Sequence, residues 1–154
     1  MKPDIYSQVY IHLVFSPKGH QSAIPETIEA QLYPYMSQII ANKNHKPYII
    51  NGMPDHIHIL LGINPNSSIS DLVRDVKRSS SVFINSTSLL PKKFSWQEGY
   101  GVFSYGKSQL DKIYQYILLQ KEHHRKKKFR DEYISFLQHY GVQYDEKYLF
   151  RFYD

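Results

Sequence analysis

The chain contains no cysteine, which excludes both a disulfide framework and a thiolate metal site. It also lacks any apolar run approaching the roughly 20 residues that a membrane-spanning helix requires. Its first residues, Met1-Lys2-Pro3-Asp4, hold no apolar stretch of the kind that marks a secretory signal. These absences predict a cytoplasmic protein with no membrane partner. No repeat, linker or low-complexity stretch divides the 154 residues, a length that suits one domain, 1–154, with a real core.

The residues that are present carry more information. Hydrophobic residues make up 42% of the chain, enough for a folded interior. The net charge is +5 and the pI about 9.2. Lys121, Arg125, Lys126, Lys127, Lys128 and Arg130 place six basic residues within ten positions. Arg74, Lys77 and Arg78 form a second basic group. Fourteen tyrosines dominate the aromatic content. Basic clusters neutralise phosphates, and aromatic faces stack on unpaired bases. The plainer alternative is that tyrosines fill the core and the basic run solvates a helix end, so composition alone leaves nucleic-acid binding open.

Hydrophobic periodicity orders the chain. Residues 6–15 alternate as a strand, with Val9, Ile11, Leu13 and Phe15 on one face and Gln8, Tyr10, His12 and Val14 on the other. A helix over 26–42 has an apolar stripe of Ile28, Leu32, Tyr35, Met36, Ile39 and Ile40, with Pro34 predicting a kink or break. A short strand at 48–50 is followed by the turn signal Asn51-Gly52. A strand over 55–63 and a helix over 69–84 come next, the latter with Arg74, Lys77 and Arg78 off its buried face. Short strands are expected at 94–97 and 100–105, a third helix over 108–127, and a fourth over 130–140 ending at Gly141. The order β-α-β-β-α-β predicts an α+β, ferredoxin-like (RRM-like) fold, an antiparallel sheet with helices on one face.

Within the 55–63 strand stands His56-Ile57-His58. Strand side chains alternate, so both imidazoles share one face while Ile57, Ile59 and Leu61 share the other. The isoleucine face suits the cover of helices, leaving the histidine face free for chemistry. The third helix supplies possible partners. Leu110, Ile113, Tyr114, Ile117 and Leu118 form its apolar stripe, so Tyr114 reads as a core residue. Tyr116 and Gln120, four apart, lie together at the edge of that stripe. Two imidazoles and an amide oxygen make a poor zinc set but suit Mg²⁺ or Mn²⁺ with open positions for phosphate and water. Such an ion would polarise a phosphate, and the Tyr116 phenol would be placed to attack it. Each piece alone has a plainer reading: a structural H-x-H strand, a packing tyrosine, and His123 and His124 as part of a solvated basic face.

In combination these segments resemble the HUH single-tyrosine transposases of the insertion sequence 200/605 type. Asp55-His56-Ile57-His58 is similar to the HUH motif. Tyr116-Ile117-Leu118-Leu119-Gln120 is similar to the family's Tyr-Ile-x-x-Gln helix, with Leu119 in place of the usual Asn. The Phe94–Ser104 segment, His123-His124-Arg125-Lys126 and Tyr144–Leu149 also resemble the family. The resemblance implies a C-terminal catalytic-tyrosine helix, with Tyr116 as nucleophile and His56, His58 and Gln120 as ligands of Mg²⁺ or Mn²⁺. It implies cleavage and rejoining of single-stranded DNA at hairpin-bearing ends through a 5′-phosphotyrosine, without ATP. It further implies a homodimer whose active sites are shared between subunits. The basic residues named above would hold phosphates. A domesticated module that binds DNA hairpins or RNA without cutting is the alternative.

Overall fold

A computed structural model of the chain describes residues 5–19 and 24–152; the reading of Met1–Asp4 lies outside them. The elements are β1 (Tyr10–Phe15), α1 (Glu26–Asn42), β2 (Lys46–Met53), β3 (His56–Gly62), α2 (Ile69–Ser86), β4 (Gly101–Tyr105), α3 (Leu110–Leu118), α4 (Gln120–His123) and α5 (Phe129–His139). The strands form one four-stranded sheet in the order β2-β3-β1-β4, with every neighbouring pair antiparallel. This is the expected α+β order, and it makes β3 and β1 the two central strands.

Alternation along the central strands builds the core. Ile11, Leu13 and Phe15 lie opposite Leu61, Ile59 and Ile57. Onto this face pack Ile28, Leu32, Met36 and Ile40 of α1 and Leu72, Val73, Val76 and Ile84 of α2, all buried. Each such side chain contributes about 1.5–3 kcal/mol on leaving water. Ser68 caps α2, its side chain accepting from the Asp71 amide at 3.1 Å. Pro34 sits within α1 without ending it.

Several local expectations are corrected. Asn51 and Gly52 do not turn; both belong to β2, and the chain reverses at Pro54-Asp55. Glycine is required at 52 by close approach, because a Cβ there would lie 2.2 Å from the His56 carbonyl oxygen. Residues 94–97 form no strand beyond a single bridge between Pro17 and Trp96. The Asn85 side chain takes both backbone groups of Phe94 instead, accepting at 2.6 Å and donating at 3.1 Å. The Trp96 indole donates to Ser80 Oγ at 2.9 Å, and its ring meets Phe15 edge-on. Strand β1 begins at Tyr10 rather than residue 6.

The long helix expected over 108–127 is interrupted. A 3₁₀ turn at Lys107–Gln109 leads into α3, which stops at Leu118, and α4 starts at Gln120. Asn51 on β2 holds the break: its amide donates to the Ile117 carbonyl at 2.9 Å and the Leu118 carbonyl at 3.1 Å. The Ile117 carbonyl also accepts from a backbone N–H just past the helix, so Asn51 caps an end where the chain has already turned. Tyr114 is only half-buried, and Leu118 is 48% exposed, so the apolar stripe is narrower than the periodicity predicts. Helix α5 ends at His139, and Gly141 two residues on has the φ of 65° that a left-handed cap takes and glycine favours.

The expectation that the histidine face is free is also corrected. His56 and His58 are 0% exposed. Helices α3, α4 and α5 lie over this face, as Tyr116, Gln120 and Glu132 contacts to the two histidines show.

Candidate metal and nucleophile site

Three segments far apart in sequence converge on His56 and His58. Strand β3 supplies the two imidazoles. The break before α4 turns Gln120 inward, and its Oε1 lies 3.0 Å from His56 Nε2. Helix α5 supplies Glu132, 3% exposed. Glu132 Oε1 is 3.1 Å from His58 Nε2, 3.4 Å from His56 Nε2 and 3.2 Å from His124 Nε2. Its other oxygen, Oε2, accepts from the Gln120 amide at 3.1 Å and from the Tyr116 hydroxyl. The carboxylate therefore joins the histidines to the tyrosine.

The donor set fits a divalent cation. One ligand atom each from His56, His58 and Glu132 lies within 4.8 Å of the others, and Gln120 Oε1 adds a fourth donor. Two imidazole nitrogens, a carboxylate and an amide oxygen form a mixed N/O site, which suits Mn²⁺ or Mg²⁺. Outer partners orient the rings: His56 Nδ1 faces Asp55 Oδ1 at 2.7 Å, and Phe129 stacks on His56 at a centroid distance of 4.1 Å. Such partners fix which nitrogen is offered to a metal.

Electrostatics follow from burial. Burial raises the Glu132 carboxyl, but the histidines around it lower it by more, His58 first, so it stays ionised. Burial lowers His58 below the ordinary 6.5, partly offset by Glu132. Burial, and then the Glu132 charge, push the Tyr116 phenol well above its ordinary 10.0. Tyr116 is therefore a protonated phenol at neutral pH, and any reaction at its oxygen would need a proton acceptor.

Beside Tyr116 opens a cleft of about 720 Å³, lined by Tyr116, Glu122, His123, Arg125, Lys126, Lys127 and Glu132. His123 stacks on the Tyr116 ring at 4.7 Å. The other basic candidates lie elsewhere. Lys121 turns back to β2, pairing with Glu29 at 2.9 Å and donating to the Gly52 carbonyl. Arg130 faces Glu146 at 3.8 Å, and Lys128 precedes α5. Arg74, Lys77 and Arg78 line a groove on the opposite side of the sheet with Trp96 and Tyr100. There Lys77 donates to the carbonyls of Gln97 at 2.9 Å and Gly99 at 2.6 Å. Burial lowers its ammonium to about 8.

Sequence reasoning missed three of these residues. Glu132 had one available signal: it interrupts the apolar stripe Phe129, Tyr133, Phe136 and Leu137 of α5, where a carboxylate needs a buried partner. His124 was read with the solvated basic run, but its side chain is 5% exposed and its ring packs 4.4 Å from His56. Asn51 sits in an Asn-Gly pair whose turn signal hides its role at the end of α3.

A ferredoxin-like sheet with a buried histidine pair under a tyrosine-bearing helix defines the class of protein. The family comparison then places the chain: it belongs to the IS200-like transposase family, whose model matches residues 5–120. The match ends at Gln120, so Glu132 lies beyond it. Among curated proteins, the chain is similar to the ISDra2 transposase TnpA of Deinococcus radiodurans, 24% identical over 120 residues, covering 75% of this chain and 86% of that protein. Two solved structures share the fold. One is a Deinococcus radiodurans R1 protein assigned as a transposase, with a TM-score of 0.61 and 22% identity over 78% of this chain and 96% of that one. The other is a REP-associated tyrosine transposase bound to a REP hairpin, with a TM-score of 0.59 and 13% identity over 80% of this chain and 73% of that one. No helix among the described residues is long and apolar enough to cross a membrane.

Proposed function

We propose that this chain cuts and rejoins single-stranded DNA at hairpin-bearing insertion-sequence ends, with Tyr116 as nucleophile. The observation that carries the reading is the convergence of Tyr116 and Gln120 on the His56–His58 pair, through one buried carboxylate. His56, His58, Gln120 and Glu132 would hold Mg²⁺ or Mn²⁺, which when bound supplies Lewis-acid polarisation of a phosphate oxygen. The Tyr116 oxygen attacks phosphorus, its proton leaves through its hydrogen bond to Glu132 Oε2 and passes on to solvent, and the P–O3′ bond breaks. The leaving 3′ oxygen takes a proton from solvent, leaving a 5′-phosphotyrosine and a free 3′-OH. Attack of a 3′-OH on that linkage reverses the step without ATP. Arg125, Lys126 and Lys127 line the cleft where the strand's phosphates would lie. Lys128 and Arg130 would extend that basic surface, while Arg74, Lys77 and Arg78 would form a separate one on the opposite side of the sheet and Lys121 is held by Glu29.

The test is cleavage of hairpin-bearing single-stranded DNA with Mn²⁺. Wild type is expected to cut and Tyr116→Phe to leave the strand intact. Equal cutting by both removes Tyr116 from the mechanism, and metal-independent binding without cutting supports the non-cutting module. We further propose a homodimer. All the groups meet within one chain here, and exchange of α3 and α4 between subunits would form the same contacts in trans. Mixing Tyr116→Phe with a His56→Ala, His58→Ala double variant separates the two arrangements: restored cleavage means shared sites, and none, with heterodimers present, means sites within one chain.

A further inference from the structure

His12 has no part in the chemistry above, yet it is 0% exposed on the central strand next to the histidine pair. Its Nε2 lies 2.7 Å from His58 Nδ1, with the two rings stacked at 4.9 Å and 26°. Its Nδ1 lies 3.4 Å from the Tyr105 hydroxyl. Phe103 and Phe136 close around the ring, with centroids at 6.0 and 5.4 Å. Backbone register does not impose the pairing, because Val14, not His12, lies opposite His58. The contact is a diagonal one between side chains. A polar ring buried among aromatics is costly unless its nitrogens are bonded, and here both are.

The bond between the two histidines carries a single hydrogen, and its position decides what His58 can do. A neutral imidazole that offers its Nε2 lone pair to a cation keeps its hydrogen on Nδ1. His58 Nδ1 must then donate, and His12 Nε2 must accept. A neutral His12 accepting at Nε2 carries its own hydrogen on Nδ1, where the Tyr105 oxygen receives it. His56 is oriented by different means, since its Nδ1 faces the carboxylate of Asp55, a side chain 34% exposed.

We propose that His12 is the positioning residue for His58: by accepting the Nδ1–H it presents Nε2 to the metal, as Asp55 does for His56, and Tyr105 fixes the tautomer of His12. The inference rests on the metal-site reading given above and adds a buried, uncharged outer partner to it.

Two variants separate acceptor from filler: His12→Gln keeps an acceptor oxygen, and His12→Phe fills the space without one. Mn²⁺ affinity of the full chain, read by electron paramagnetic resonance, is expected to fall about 10–100-fold in His12→Phe, the usual cost of losing an outer-shell partner. His12→Gln should recover most of it. In the ¹⁵N-histidine-labelled wild type loaded with Zn²⁺ as a diamagnetic probe, the His58 Nδ1–H should show scalar coupling to His12 Nε2. Equal losses in both variants, unchanged affinity in His12→Phe, or a His58 Nδ1 without that coupled hydrogen each overturn the proposal. The coupling decides the matter alone should His12→Phe not fold. Should the wild type bind Mn²⁺ through His56 and His58 while His12→Phe binds equally well, this inference fails and the metal site stands. Should the wild type bind no Mn²⁺, both fall.

Discussion

The two faces of the sheet are covered by helices, but different forces hold the covers on. Under α1 and α2, Ile11, Leu13, Phe15, Ile57, Ile59 and Leu61 meet aliphatic side chains, and the attraction has no direction. Under α3, α4 and α5, His12, His56 and His58 meet Tyr116, Gln120, His124 and Glu132, and directed hydrogen bonds run through the cluster beside the ring packing of Phe129 and Phe136. Among the described residues, the buried side-chain atom left without a partner is His45 Nε2, which belongs to neither set. The polar face is therefore satisfied throughout, as a buried network must be if it is not to destabilise the fold. Stability can be had from apolar packing alone, as the opposite face shows. Burying four titratable groups beside a phenol makes sense as preparation for chemistry.

Substitutions sharpen this contrast, and the largest effect is expected at Glu132. Glu132→Ala leaves buried histidines and the Tyr116 hydroxyl without their common acceptor, and breaking a buried ionic cluster costs about 3–5 kcal/mol. Chemical denaturation should show that loss together with a loss of Mn²⁺ binding. Leu13→Ala on the other face should cost a comparable amount, about 2–5 kcal/mol, but leave Mn²⁺ affinity unchanged. Loss of metal binding in both variants would break the distinction between the faces.

Acid should expose the same contrast without mutation. His12 and His58 are held below 6.5 by burial, so below that pH the unfolded chain takes up protons that the folded one does not. Glu132, held below its ordinary 4.5 by the histidines despite burial, contributes stability that is present above 4.5 and lost as pH falls through its folded value. The urea midpoint is expected to hold steady from pH 8 to 7 and to fall progressively below 6.5. A midpoint unchanged down to pH 5 would mean that the histidines titrate normally in the fold.

Smaller effects are expected further from the cluster. Asn51→Ala removes two side-chain hydrogen bonds at the end of α3 and should cost about 1 kcal/mol. Its larger signature is kinetic, because the α3–α4 break that aims Gln120 is loosened: DNA cleavage should drop more than stability does. Last, Lys126→Ala should weaken single-stranded DNA binding across sequences and reduce the slope of log affinity against log salt by about 0.7, the value for one phosphate contact. An unchanged slope would take Lys126 out of the DNA path.

The aliphatic face was legible in the sequence because periodicity reports burial directly: the strand alternation and the α1 stripe lead straight to the sheet. The histidine pair and Tyr116–Gln120 were legible as motifs. The network joining them was not, for identifiable reasons. Glu132 lies beyond the part of the chain that matches the family and meets His58 across 74 positions. Asn51 caps the end of α3 from a strand 66 residues earlier, and no helix-stop signal stands at Leu118 or Leu119. His12 shares a face with His58 only once β1 and β3 are paired. Directed contacts between distant residues leave little local pattern to read, whereas apolar burial leaves one every two or four residues.

The central claim is that the polar face is a metal site built beside a nucleophilic tyrosine. Its most direct test is the covalent protein–DNA adduct formed on hairpin-bearing single-stranded DNA, digested and mapped by mass spectrometry. The account predicts a phosphodiester on Tyr116, formed with Mn²⁺ or Mg²⁺, lost with chelator, and absent in the His56→Ala, His58→Ala variant. An adduct on another tyrosine, or one that forms equally well in that variant, would contradict it.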